Sequence, residues 1–186
     1  MLLRPQALAA LCLHDPAEKA GATRDLQALA QAGQVVLDPD AELAEPDALP
    51  GRPDRPRLVP VQQVPRRSPF SVAGRAALLH AVCHIEFNAI NLALDAVWRF
   101  PGLPEAYYRD WLRVADEEAL HFTLLREHLQ SLGHDYGDFD AHDGLFDGTE
   151  RGVTAARTDS ECTARPAPVS PASWRSGSGG SSAPSG

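Results

Sequence analysis

The sequence predicts an all-α fold in which a long antiparallel helix hairpin is preceded by N-terminal helices and an extended strap. Three observations predict it. Residues 72–99 and 104–132 carry apolar side chains at helical spacing and are joined by the turn "FPGLP". Ahead of them, "DPAEKAGATRDLQALAQAG" has the start and stop signals of a capped helix. Between the two regions, residues 34–70 lose all periodicity and fill with prolines.

Composition agrees with a single soluble domain. With 186 residues, 44 % of them hydrophobic, the chain can bury one ordinary core. Its formal net charge of -8 lacks the concentrated positive charge that phosphate backbones and anionic membranes attract, so neither nucleic acid nor a membrane is the expected partner. Cys12, Cys83 and Cys162 are widely separated and form no CxxC, which argues against a disulfide framework or a zinc knuckle and leaves the cytoplasm as the expected compartment. The opening "MLLRPQALAALCLHDP" is interrupted by Arg4 and Pro5, too short to span a bilayer and poorly arranged for a signal peptide.

The N-terminal unit, residues 1–33, is expected to hold a short helix over about 5–13 and then a second one. Asp15 serves the second as N-cap, with Pro16 at the first helical position, Glu18 three residues after the cap and Gly33 as the stop. Leu26, Leu29 and Ala30 give it a narrow apolar face, suited to a small packing module. The strap, residues 34–70, has prolines at 39, 46, 50, 53, 56, 60, 65 and 69; each lacks an amide donor and biases its predecessor toward extended geometry. Arg66 and Arg67 in "PRRSPF" are expected to pair with the acidic body.

Residues 71–147 contain the hairpin. Its first helix is apolar on nearly every side through Leu79, Val82, Ile85, Ile90, Leu94 and Val97, which predicts a place inside a bundle. The second helix carries one stripe, Trp111, Val114, Ala115, Phe122, Leu125 and Leu129, and stops at Gly133. Residues 148–186 read as a disordered low-complexity tail: from Arg151 onward there is no Leu, Ile, Phe, Met or Tyr, and the chain closes on "GSGGSSAPSG".

Chemistry enters through three polar residues at apolar positions. Glu86 interrupts "HAVCHIEFNAINLALDAVWRF", and Glu118 and His121 interrupt the stripe in "VADEEALHF". The E-x-x-H spacing puts a carboxylate and an imidazole one turn apart on a single face. Glu86 and Glu118 each lie sixteen residues from Gly102 at the turn, so in an antiparallel pair both stand roughly 24 Å from it, level with one another. Helix axes about 8 to 10 Å apart would let these carboxylates share a metal ion, and a shared cation would explain two buried charges. Carboxylate with imidazole and no thiolate suits iron or manganese, and also zinc, with iron the first choice.

His80 and His84, four residues apart, invite an HxxxH metal reading. At about 100° per residue, however, His84 points away from Glu86, so both histidines are expected to make hydrogen bonds that orient neighbours or cross between helices. Glu117 is expected to face solvent. Asp95, Tyr107, Trp111 and Arg113 are expected in buried polar or packing networks, and Tyr136, Asp138, His142 and Asp143 in a polar loop that covers a site or is a turn fixed by its own Asp side chains.

"GRAALLHAVCHIEFNAINLALDAVWRF", "YYRDWLRVADEEALHFTLLREHLQSLGHDYGDF" and "AHDGLF", with "PGRPDRPRLVP" and "VPRRS" upstream, resemble the uncharacterised ferritin-like family known as domain of unknown function 455, over roughly residues 2–147. The resemblance implies a ferritin-like helical bundle distantly akin to di-iron hydroxylases, with Glu86 matching the first-helix ligand and Glu118 and His121 the second. It also implies two further helices carrying another glutamate and another E-x-x-H. The Gly/Ser/Pro tail stands in their place, as a C-terminal truncation or frameshift would leave it.

Two functions are therefore expected from different classes. The first is a non-haem di-iron (or iron/manganese) oxidoreductase with half of its metal ligands in this chain, inactive as an isolated monomer and completed by a homodimer through the exposed bundle face. The alternative is a non-enzymatic, truncated helical fragment that self-associates and binds little or no metal.

Overall fold

A computed structural model describes residues 1–65 and 67–142. Among these residues there are four α-helices: α1 (Leu3–Leu11), α2 (Pro16–Gln31), α3 (Val72–Arg99) and α4 (Glu105–Ser131). There is no strand among them, only two isolated parallel bridges, Leu2 with Val36 and Leu58 with Ala141. Arg66, Asp143 and the expected tail, with Cys162, lie outside the described residues.

Local signals set most helix ends. The Asp15 carboxylate accepts from the amides of Ala17 and Glu18 at 2.8 and 2.9 Å, satisfying two of the donors that a helix start leaves free. Ser71 caps α3 by accepting from the Gly74 amide at 3.0 Å. Gly33 and Gly133 take positive φ just beyond α2 and α4, as helix stops do. The first helix starts two residues earlier than expected, at Leu3, because the Leu3 amide donates to the Val36 carbonyl at 3.0 Å and the strap anchors the helix entrance.

The hairpin is the backbone of the molecule. α3 and α4 run antiparallel from the turn at Gly102, whose φ of 74° needs a residue without a Cβ and whose amide donates to the Pro39 carbonyl at 2.8 Å. Phe87, Ile90, Leu94 and Val97 of α3 and Tyr108, Leu112, Ala115 and Phe122 of α4 are buried in one continuous core. The Tyr108 hydroxyl donates to the Phe100 carbonyl at 2.7 Å and accepts from the Leu103 amide at 3.1 Å, so one side chain ties both arms to the turn. α3 is long and apolar enough by composition to cross a membrane, yet half of its most apolar window is buried inside the protein, the pattern of a core helix.

α1 packs on α3 and α2 on α4, covering one side of the hairpin. Two buried cations fasten them. Arg4 donates through Nε and Nη2 to the Trp98 carbonyl at 3.1 and 2.7 Å and through Nη1 to the Ala41 carbonyl at 2.6 Å. It thus serves a carbonyl in the last turn of α3, where the helix itself supplies no donor. Lys19, fully buried in α2, donates from Nζ to the Gly51 carbonyl at 2.7 Å and to Asn91 Oδ1 at 2.6 Å. Burial holds its pKa down to about 7.

Among the described residues of the strap, one helical turn is formed, a 3-10 turn at Val61–Gln63. Gly51 passes so close to the end of α1 that a Cβ would stand 2.2 Å from the Cys12 carbonyl oxygen, so only glycine fits there. Its amide donates to the Leu11 carbonyl at 2.9 Å. Arg67 lies over the Phe139 ring at 5.1 Å, stacking on an aromatic face beside the acidic loop.

The expectation that α3 is enclosed on nearly every side is corrected. Leu78 is 58 % exposed and Ile85 44 %, while Leu79 and Val82 are only half-buried. The stripe on α4 divides likewise: Ala115, Phe122 and Leu129 are buried, Val114 and Leu125 half-buried, and Trp111 is exposed. α1 and α2 are on the other side of the hairpin, and no described element covers these positions.

Candidate metal centre

The structure brings Glu86, Glu118 and His121 together. One donor atom from each lies within 4.8 Å of the others. α3 delivers Glu86, and α4 delivers Glu118 and His121 one turn apart, with Glu118 Oε2 and His121 Nδ1 at 3.2 Å. Equal distance from the turn puts the two helices in register at this level, because rise per residue is fixed.

Burial differs from expectation. Glu86 and Glu118 are half-buried and the His121 side chain is 53 % exposed, because the uncovered face of the hairpin borders all three. The Glu86 carboxyl is still pushed up to about 7, first by desolvation, then by its hydrogen bond to Glu118 and the charge of Glu118, with His121 opposing.

Two oxygen donors and one nitrogen form an open tripod. Iron, manganese or zinc accept such donors, at bond lengths of about 2 Å for zinc, so opposed ligands on one ion stand about 4 Å apart. Donor atoms within 4.8 Å of one another are close enough to converge on one ion of that kind. The residues present therefore fit a divalent cation and leave its remaining positions open.

The family model described as "Protein of unknown function (DUF455)" matches residues 12–167, most of the chain and past the last of the motifs quoted above. The chain belongs to this family. An uncharacterised protein of Haemophilus influenzae is 45 % identical to it over 151 residues, which is 76 % of this chain and 52 % of that relative. The chain thus spans about half the length of the curated relative it matches. No solved structure matches it.

His80 and His84 do make hydrogen bonds, but to the loop after α4 and not toward the tripod. The Gly137 amide donates to His80 Nε2 at 3.0 Å, and the His80 ring stacks on Tyr136. Asn88 Nδ2 donates to His84 Nε2 at 3.1 Å, and His84 Nδ1 meets the Tyr136 hydroxyl at 2.8 Å. Tyr136 also packs on Phe87 and Phe122, so the loop is a plug on the hairpin. Within it, Asp138 accepts from the Asp135 amide at 2.8 Å, the turn chemistry expected of such a cluster, and His142 is exposed.

Of the other residues singled out, Glu117 faces solvent. Asp95 accepts from Trp98 Nε1 at 3.1 Å and pairs with Arg99 at 2.7 Å, and Tyr107 packs edge-on against Tyr108 and Trp111. Arg113 is a correction: it is exposed and pairs with Asp110. Cys83 is buried, its thiol pushed up to about 12 by desolvation, which makes it an inert packing group. Sequence reasoning missed the buried roles of Arg4 and Lys19. A signal for Lys19 existed, since it shares the helical face of Thr23, Leu26 and Ala30, three or four residues apart.

Proposed function

We propose that this chain carries half of a ferritin-like carboxylate metal centre, of the di-iron or iron/manganese type, with oxidoreductase chemistry once the centre is complete. The observation that carries this reading is the convergence of Glu86, Glu118 and His121 donors within 4.8 Å on an open helix face. Glu86 and Glu118 would bridge or flank the cations as anionic oxygen donors, and His121 would be a terminal neutral donor. Bound metal supplies redox chemistry through coordination positions that the protein leaves open. The chain's own part is to hold three donors in register on two rigid helices and to shield Glu86 along α3, where partial desolvation strengthens its pull on a cation.

Reconstitution tests it. Anaerobic loading with Fe(II), desalting and metal analysis should give near one iron per chain, with loss of binding in Glu118→Ala. Retention below about 0.1 per chain would overturn the reading, since a real site binds near-stoichiometrically. The exposure of His121, Leu78 and Ile85 favours a second reading, a non-enzymatic helical fragment that associates through this face without metal.

A further inference from the structure

Each arm of the hairpin carries a second seam besides the one that joins it to its partner. On α4, Trp111, Val114, Glu118, His121 and Leu125 recur at alternating steps of three and four. On α3, Leu78, Val82, Ile85 and Ala89 do the same, with Glu86 beside them. Such a repeat is how a helix receives a partner helix along its length. The donor atoms of the tripod lie in the middle of both seams.

We propose that a second copy of this chain covers this face, hairpin against hairpin about a two-fold axis, so that both copies give Glu86, Glu118 and His121 to one shared two-cation centre. The inference rests on the metal reading above and names the partner that completes it. Two-fold pairing sets the same residues opposite one another, which doubles the donors to two single glutamates and two E-x-x-H pairs. A dinuclear carboxylate centre in a four-helix bundle takes that number. Residues 151–186 are not the occupant, since they hold no Leu, Ile, Phe, Met, Tyr or His with which to build such a seam.

Charge makes the pairing conditional. Four carboxylates gathered on a seam repel when bare and are balanced by two divalent cations, while the flanking Leu78, Val82, Ile85 and Trp111 give up exposed apolar surface in either case. Metal is therefore the switch between one copy and two.

The test uses the full 186-residue chain, freed of metal by a chelator and then titrated with Mn2+ alone. Sedimentation equilibrium, bound manganese and low-temperature EPR are followed together. Mass should double from 20.0 kDa, with one manganese per chain and the spectrum of a coupled pair, and chelator should reverse all three. Ile85→Lys, which alters no donor, should keep its helix content and lose the doubling. If manganese binds while the mass stays single, the dimer is overturned and the metal reading stands. If no manganese binds, both fall. A dimer that persists in chelator and in Glu118→Ala overturns the shared centre.

Discussion

The Gly137 amide donates to Nε2 of His80 at 3.0 Å, joining the loop after α4 to the N-terminal third of α3 across 57 residues of chain. That bond needs an unprotonated nitrogen, so His80 must be neutral with its proton on Nδ1, an atom that is buried and finds no partner among the described residues.

His80 therefore makes stability depend on acid. Burial lowers its pKa to about 4, against an ordinary value of 6.5, with Asp138 opposing. Between these values the unfolded chain binds more protons than the folded one, so the His80 contribution is intact above pH 6.5 and is lost as pH falls toward 4. Urea unfolding of the protein and of His80→Gln at pH 7.5 and 4.5 should show the native protein losing about 2 kcal/mol more than the variant over that interval. Equal losses would mean that the loop does not depend on a neutral imidazole.

Arg4→Met should destabilise by about 2 to 4 kcal/mol, because three hydrogen bonds disappear and the buried Trp98 carbonyl and the half-buried Ala41 carbonyl lose their charged donor. Hydrogen exchange should localise the damage to the last turn of α3 and to residues 36–41. Uniform acceleration across all four helices would contradict a local fastening role.

Lys19→Met keeps the volume and removes the donor, leaving the Gly51 carbonyl and Asn91 Oδ1 unpaired. A loss of about 1 to 3 kcal/mol is expected in chemical unfolding. In the double variant Lys19→Met/Asn91→Leu, part of that loss should be recovered, since one orphaned acceptor is then replaced by an apolar group. A strictly additive double variant would show that Lys19 and Asn91 do not act as a pair.

The metal-free protein should gain from losing an acid. Glu86 has its pKa raised to about 7 from 4.5, so its protonated form fits the fold best. Its favourable contribution is present below pH 4.5 and disappears as pH rises through 7. Glu86→Gln should raise stability in chelator by about 1 kcal/mol at pH 8, a figure reduced for solvent screening of a half-exposed group, and change little at pH 5. The same variant should bind metal less well. A site that exchanges apo stability for ligation behaves this way; a packing residue does not.

Much of the fold was legible because its signals are local. The Asp15 cap, the glycines at 33, 102 and 133, and the apolar spacing of α3 and α4 each act within a few residues, and their elements lie within two residues of where sequence puts them. The level placement of Glu86 and Glu118 was legible for a related reason, since a helix rises by a constant step and the turn at Gly102 fixes the origin.

Burial was not legible, because it depends on which distant segments arrive. Lys19 is enclosed only because Gly51 of the strap crosses above it, and Leu78 and Ile85 stay exposed because α1 and α2 take the other side of the hairpin. Nor could spacing tell that His80 and His84 serve Tyr136 and Gly137. Sequence by itself determined the rods, their ends and their register, which short-range backbone geometry dictates; tertiary structure alone decided which faces meet water, because that is a property of the assembled surface and of no single segment.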